Sequence, residues 1–408
     1  MKRPVLFDAT RLLSRIDRGA PTGIDRVCLA YAEHLLGRHD LTVTPVRSRR
    51  DELSAVDSRW FADTVASLRT RWSGDPGPNG IETRLLAALT SQRRGRSMGE
   101  VDPGDREART RRGLSLLLRL RPLADPPQHA VYVNVGHTGL DSPRILAELA
   151  GRGVARLVMV HDLIPVTHPE YCRPGEGARH RVRVRTALRH ASHIVVNSAA
   201  TGAELAAFAA REGLTSPPVQ VAHLGLEPPF LEPGWQPAPA PYFVHVGTLE
   251  GRKNLAFLLS VWRRLDERMG AAAPRLALIG RHGWENEAVL DHLHRSPNLQ
   301  GLVHQVSELP DAGLARLLAG ARGLVAPSSV EGFDLPVAEA LGLGVPVIAS
   351  DIAVHRELAP KARLIDPLDG PGWMEAVEAL TTKPPGSTPA SPRTWAGHFE
   401  AVSGFAGL

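Results

Sequence analysis

Cysteine is almost missing from this chain: two residues, Cys28 and Cys172, in 408. That excludes a disulfide framework and a cysteine-built metal cluster. Long apolar runs are missing too. No stretch reaches the ~18 consecutive apolar residues that a membrane span needs, although apolar residues make up 43% of the chain, as in ordinary globular proteins. The apolar segment near the N-terminus is too short for a secretory signal, so a cytoplasmic location is expected. Lysine is scarce: of 48 basic residues only Lys2, Lys253, Lys361 and Lys383 are lysines. No G-x-G-x-x-G follows a first strand, which argues against a nicotinamide-dependent oxidoreductase. No repeat at solenoid spacing is present.

The net charge is +5, with a pI near 9.6. Residues 84–121 hold ten arginines against four acids, Glu100, Asp102, Asp105 and Glu107. With the apolar residues 114–118 nearby, this stretch suits an anionic membrane surface. It suits a solvated helical hairpin equally well. It lacks aromatic interleaving and any nucleic-acid module, so no nucleic-acid partner is expected.

A chain of this length suits two domains of about 200 residues each. Short apolar runs alternate with helical patterns in both halves, which predicts an α/β protein with two doubly wound, Rossmann-like sheets. Residues 1–231 form the expected N-terminal domain, with a basic helical insertion at about 51–121. Residues 232–241, E-P-G-W-Q-P-A-P-A-P, form the clearest linker. Residues 242–383 form the second domain. The tail, 384–408, is a linker and a last helix.

The densest stretch of signals is 328–351, S-S-V-E-G-F-D-L-P-V-A-E-A-L-G-L-G-V-P-V-I-A-S-D. An apolar run, 323–326, leads in. A glycine turn, a helical pattern and a second apolar run follow, giving strand, turn, helix, strand. A helix N-terminus after such a turn offers free N–H groups and a positive dipole end, which suits phosphate. Glu331 and Glu339 are placed to grip hydroxyls beside it. Earlier, 242–246 runs as a strand into Gly247-Thr248-Leu249-Glu250-Gly251-Arg252-Lys253-Asn254. The glycine permits close backbone approach, and two cations can neutralise a diphosphate.

These motifs resemble the signature of the GT-B nucleotide-sugar glycosyltransferases of the large retaining family 4. The family pattern E-G-F-x-L-P-x-x-E-A, followed by G-x-P-V-I-A-S, is matched from Glu331 to Ala340 and from Gly344 to Ser350. The resemblance implies a GT-B fold: two facing doubly wound domains with the ligand cleft between them, and a last helix crossing back to the first domain. It implies that Glu331 contacts the donor sugar near its reacting end, with Gly332, Phe333, Asp334 and Leu335 lining the sugar subsite. Glu339 would bind the ribose. Asp334 stands where glycine is commoner and adds a charge beside the sugar. G-x-x-x-x-R-K-N is similar to the family's diphosphate grip, which assigns Gly247, Arg252 and Lys253. Arg281 and Leu309 fall where relatives meet the nucleoside. In the first half, Thr22-Gly23-Ile24-Asp25-Arg26 is similar to the family's G-G-I-x-R turn with one glycine fewer, so Gly23 takes a diphosphate role. His161-Asp162-Leu163-Ile164-Pro165 follows a strand at 154–160 and resembles the acceptor-domain H-D-x-x-P. His161 is then catalytic, and Asp162 orients the imidazole or meets the acceptor.

The implied reaction moves a sugar from a nucleoside diphosphate to a glycan or lipid-linked acceptor with retained configuration. No D-x-D occurs, so no metal or other cofactor is expected and the cations do a metal's work. H-D-L-x-P and G-R-x-G-W resemble bacterial mannosyltransferases of polysaccharide assembly and point to GDP-mannose. An epimerase or hydrolase of the same fold, or a non-catalytic nucleotide-sugar binder, are the alternatives. Expected partners are the donor, the acceptor and an anionic membrane surface at 84–121.

Overall fold

The computed structural model describes residues 2–74, 80–91, 93–99, 119–123, 125–126, 129–383 and 393–408. They divide into two compact units. The first holds Met1–Trp72, Pro103–Gly225 and Trp395–Leu408; the second holds Ser73–Asp102 and Leu226–Thr394.

Strands of three to nine residues, with short apolar, β-branched runs at the centre, build the first sheet. Its strands are β1 (Arg3–Asp8), β2 (Leu41–Arg49), β3 (Glu52–Val56), β4 (Leu120–Pro122), β5 (Val131–Asn134), β6 (Ala155–Val160), β7 (His193–Val196) and β8 (Val219–Val221). The order is β4-β3-β2-β1-β5-β6-β7-β8. From β2 to β8 neighbouring strands are parallel, with Val5 level with Val43 and Val131; β3 and β4 join antiparallel at the edge. Parallel strands need crossovers that cover both faces, which is why β5 is buried along its whole length.

The second sheet holds β9 (Tyr242–Val246), β10 (Arg275–Ile279), β11 (Val303–Val306), β12 (Gly323–Ala326), β13 (Val347–Ser350) and β14 (Arg363–Ile365). Its order is β11-β10-β9-β12-β13-β14, parallel throughout. The chain runs outward from β9 in one direction and resumes beside it at β12. That reversal leaves a crevice beyond the C-terminal ends of β9 and β12, where open α/β sheets hold ligands. Trp262 and Trp373 are wholly buried in the core of this unit. Each satisfies its indole N–H on a carbonyl, Pro274 at 2.9 Å and Asp366 at 3.0 Å.

The domain boundaries differ from those read in the sequence. The first unit closes at Gly225, and the stretch 51–121 is divided. Its start forms β3 and the helix Ser58–Ser73, and its end forms β4. The helix Ile81–Thr90 belongs to the second unit, where Glu82 accepts from Arg316 at 2.6 and 2.8 Å. Beyond it Met98 pairs with the edge strand β11: its carbonyl accepts from Gln305 N at 3.0 Å. That covers an otherwise open sheet edge. Arg94, one of the ten arginines, donates to Gly270 O at 2.7 Å. Residues 100–118 of the membrane reading lie outside the described residues. Among the described residues no helix is long and apolar enough to cross a membrane.

The proline-rich 232–241 is docked rather than loose. Gln236 N and Ala238 N donate to Ala319 O and Gly320 O at 2.8 and 2.9 Å, and the Trp235 indole donates to Ala321 O at 2.7 Å. The last helix, Trp395–Ala406, packs in the first unit, where Tyr31 Oη and His398 Nε2 lie 2.9 Å apart. Gly225 lies against it: a Cβ there would meet Trp395 N at 2.2 Å.

Glycine is required sterically where the backbones of 247 and 280 meet. A Cβ on Gly280 would stand 1.8 Å from Gly247 O, whereas one on Gly202, inside the helix Ala199–Arg211, would meet Val196 Cγ2 at 3.5 Å and Val221 Cγ2 at 3.8 Å, ordinary van der Waals contacts. Gly280→Ala is expected to destabilise the second unit by about 1–3 kcal/mol or more, as overpacking does. Gly202→Ala is expected to stabilise the first by about 0.5–1 kcal/mol. Urea unfolding of the two variants beside wild type checks both signs.

Candidate functional site

Two loops leave neighbouring strands at the reversal of the second sheet. After β9, Gly247 takes φ +155° and the chain turns through Gly251–Lys253. Asn254 then takes the left-handed φ of +53°, its side-chain amide donating to Pro367 O at 3.0 Å, before the helix Leu255–Met269. After β12 the second loop ends at Asp334, also left-handed at φ +65°, and the helix Leu335–Gly342 starts with Pro336 in its first turn. Proline suits that turn, where its missing N–H costs nothing. Ser329 N donates to Arg252 O at 2.9 Å and ties the loops together.

The motif residues converge here. Glu331 is shared by both cations. Its Oε1 lies 2.6 Å from Lys253 Nζ, and its Oε2 is ion-paired with the Arg252 guanidinium. Arg252 also donates to Glu250 Oε1 at 2.7 Å and to Val330 O at 3.0 Å. Lys253 is 6% exposed and Asp334 is 7% exposed, so these charges are held away from water. Burial opposes the charge on each, and the partners outweigh it. The Lys253 pKa lies above its ordinary value because Asp334 and Glu331 surround it. Burial would raise Glu331, but Arg252 and Lys253 bring it below the usual carboxylate range. The cluster is therefore ionised, with opposite charges interleaved.

Two buried histidines complete it, and neither was singled out from sequence. His245 stands on β9, where a polar residue inside an apolar run is the only signal. Its Nδ1 donates to Val325 O at 3.0 Å. Burial, then Lys253, push its pKa down to about 4, so the ring is neutral and Nε2 is an acceptor. That Nε2 makes no hydrogen bond, and it flanks the space above Gly247 together with Lys253 Nζ. His355 opens the helix Ala353–Leu358, and its spacing from Asp334 carries no pattern. Its Nδ1 donates to Ser350 O at 2.8 Å, and its Nε2 meets Asp334 Oδ2 at 3.1 Å. A carbonyl and a carboxylate both accept, so both ring nitrogens carry protons and His355 is an imidazolium. Burial lowers its pKa, but the bond to Asp334 more than reverses this and leaves it raised.

Arg281 is ion-paired with Glu308, beside the buried Leu309. Glu339 is 3% exposed on the helix that follows Asp334. Phe333 and Leu335 bury their side chains, which leaves their backbone as the part able to face a ligand. Among the described residues no group of three or more His, Cys, Asp or Glu is placed to hold a metal ion.

In the first unit Gly23 opens the helix Gly23–Gly37. Asp25 closes a capping box there, accepting from Thr22 N at 3.0 Å, and it is neutralised by Arg11 at 2.7 Å. A carboxylate thus already sits at this helix end. His161 follows β6 and is 4% exposed. Its Nε2 donates to Val135 O at 2.7 Å, leaving Nδ1 as its acceptor. Burial pushes its pKa down to about 4. Asp162 was expected to orient this ring or meet the acceptor. The carbonyl of Val135 orients the ring instead, and Asp162 Oδ1 accepts from Ile164 N at 3.1 Å, starting the short helix Ile164–Thr167. His137, unmarked in the sequence, accepts from His161 N at 3.3 Å and lies 4.9 Å from its ring.

Breaking the buried pair should be costly: His355→Leu is expected to destabilise the protein by about 3 kcal/mol at neutral pH. The pH dependence has a definite sign. His355 has a raised folded pKa, so its contribution is complete below its unfolded value of about 6.5 and fades as pH rises through the raised value. Asp334 is depressed by Lys253 and His355 despite its burial, so its share is present above about 3.9 and fades as pH falls through the depressed value. The stability gap between wild type and His355→Leu should be widest in mildly acidic solution and narrow towards alkaline pH. Urea titrations across that range measure it.

Comparison with known proteins places these elements. Residues 240–383 match the family model described as glycosyl transferases group 1. A curated relative, the serotype-specific mannosyltransferase WbdA of Escherichia coli, is 30% identical over 223 residues, 51% of this chain and 27% of that protein. The O-antigen chain mannosyltransferase B of Escherichia coli is 36% identical over 129 residues, 31% of this chain and 33% of that protein. The chain thus spans about a third or less of the length of these relatives. Among solved structures, Anabaena HepE in complex with UDP superposes with a TM-score of 0.58 at 14% identity, covering 100% of both chains. Sucrose-phosphate synthase from Thermosynechococcus elongatus gives 0.58 at 16% identity, covering 99% of this chain and 94% of that one. Residues 240–383 are thus similar to the glycosyl transferases group 1, in a chain with the GT-B fold.

Proposed function

We propose that the protein is a retaining, metal-independent glycosyltransferase that moves a sugar from a nucleoside-diphosphate sugar to a glycan or lipid-linked glycan in bacterial polysaccharide assembly. The observation that carries this reading is Arg252 and Lys253 facing Glu331 at the reversal of the second sheet. A buried lysine and a half-buried arginine close to Gly247 suit a diphosphate. The same cations would stabilise it as it departs. The acceptor hydroxyl would pass its proton to an oxygen of the departing diphosphate, its oxygen would bond to the anomeric carbon, and the nucleoside diphosphate would leave with the bonding pair of the broken C–O bond. Glu331 would steady the positive charge at the anomeric carbon once the cations have turned to phosphate. Glu339, Arg281 and Leu309 keep the nucleoside assignment, and Gly23 the diphosphate assignment, that the resemblance implies. His161 keeps its role too, with Nδ1 as the atom that would carry it. The mannosyltransferase relatives favour a mannosyl donor, GDP-mannose. The UDP held by HepE makes a uridine donor the competitor to test against it.

The ion pairs themselves have a consequence for binding. A diphosphate competes with Glu331 for the same two cations. Glu331→Gln is therefore expected to bind the free nucleoside diphosphate at least as tightly as wild type while turnover falls at least a hundredfold. Lys253→Ala is expected to lose at least tenfold in donor affinity. Calorimetric titration with GDP-mannose, UDP-glucose and ADP-glucose, without added metal, decides. Selective binding of one donor, weakened in Lys253→Ala, supports the reading; equal binding by wild type and Lys253→Ala overturns it.

A further inference from the structure

The carboxylate of Asp334 is hydrogen-bonded on one side only. Oδ2 is fixed by His355, and that ring is itself fixed by Ser350 O. Oδ1 is buried and makes no hydrogen bond; Lys253 Nζ lies 3.9 Å from it. Leaving a buried acceptor unmade costs about 1–3 kcal/mol. The backbone bears a cost as well, because a non-glycine residue in the left-handed region is disfavoured by about 1–2 kcal/mol. Glycine at 334 would remove both costs. Strain of this kind, over-determined by its surroundings, gathers at ligand sites. The residue lies three positions beyond Glu331 and directly before the helix Leu335–Gly342, so the open oxygen belongs to the same cluster as Glu331 and Lys253.

We propose that Asp334 is a specificity-determining residue whose Oδ1 accepts a hydrogen bond from a hydroxyl of the donor sugar, with His355 as the positioning residue that holds the carboxylate. The inference rests on the nucleotide-sugar reading above and deepens it. A sugar hydroxyl fits the chemistry. It is a donor, it is neutral, and it needs no further charge in a site whose charges are already paired. A phosphate oxygen would be repelled by the carboxylate, so the diphosphate belongs on the other side of Lys253, towards Arg252. The arrangement rewards a donor with a hydroxyl at this position, and it penalises one without it by leaving a buried carboxylate oxygen unmatched.

The test separates the sugar from the nucleotide. Dissociation constants are measured by calorimetry for GDP, GDP-mannose and monodeoxy analogues of GDP-mannose, and for UDP and UDP-glucose, with wild type, Asp334→Gly, Asp334→Asn and His355→Gln. Asp334→Gly relieves the backbone strain but breaks the buried pair with His355, so Asp334→Asn, which keeps an acceptor for the ring and tolerates the left-handed region, is the variant best suited to remain folded. The expected result is that Asp334→Gly binds the free nucleoside diphosphate within about twofold of wild type and binds the nucleotide sugar at least tenfold more weakly. One deoxy analogue should bind wild type and Asp334→Gly alike, because the hydroxyl that Asp334 would accept from is already missing. Asp334→Asn should fall between. His355→Gln should weaken the sugar nucleotide and spare the diphosphate. The proposal is overturned if Asp334→Gly leaves the ratio of the two constants unchanged, or weakens the free diphosphate equally, or if its penalty is the same with every deoxy analogue. Failure of the underlying reading looks different: wild type then binds neither the nucleoside diphosphates nor the nucleotide sugars.

Discussion

The second unit's ligand face depends on the sharing of one carboxylate, Glu331, between Arg252 and Lys253. Charges taken out of water are costly unless paired, and the attraction between them repays that cost only when the geometry is good. The geometry here comes from the sheet. Strands β9 and β12 are hydrogen-bonded neighbours although 76 residues separate Val246 from Gly323 in residue counting by number, a spacing of 77. The loops that leave them therefore reach the same place. The bond from Ser329 N to Arg252 O then locks loop to loop. Once Glu331 is fixed, Lys253 is fixed, and with it the surroundings of His245 and Asp334.

The cluster is close to neutral as it stands. Arg252, Lys253 and His355 supply three positive charges; Glu250, Glu331 and Asp334 supply three negative ones. Under the proposed function a diphosphate would enter by exchange, taking cations from a carboxylate. Glu331 would then have two successive partners, the cations first and then the sugar. It also explains why such a site can stay folded without ligand, since no buried charge is left alone. Local strain accompanies this arrangement, at Asn254 and Asp334, both left-handed without being glycine. Strained positions of this kind persist only where the surroundings over-determine them. Asn254 is held by Pro367 O and Asp334 by His355.

The first unit handles its charges differently. Asp25 closes the end of the helix Gly23–Gly37 and is neutralised by Arg11. His161 is neutral, packed beside His137, and turned by a backbone carbonyl. An uncharged imidazole with one acceptor suits contact with a hydroxyl, whereas the second unit's paired ions suit a charged ligand.

The alternation of apolar runs and helical patterns was enough to establish two α/β units, because parallel strands buried on both faces leave continuous apolar segments that need no tertiary information to be seen. The motif glycines and the Arg-Lys pair were legible for a similar reason: a tight turn and a phosphate grip each need particular residue types at close spacing. Residues 52–56 and 120–122 were not legible as strands, since short antiparallel edge strands carry little periodicity. Nor was the division of 51–121 between two units, because the bonds that commit residues 81–98 to the second unit join them to residues such as Asp266, Gln305 and Arg316, far along the chain. The same limit applies at the site. Sequence alone placed Glu331, Arg252 and Lys253 as candidates, but which atoms meet was decided by the pairing of β9 with β12. It was that pairing, and the packing of the helix Ala353–Leu358 beneath Asp334, that turned His245 into a neutral acceptor and His355 into a buried cation. A histidine's charge is set by its neighbours in space, and neighbours in space are what a folded sheet, rather than a spacing, provides.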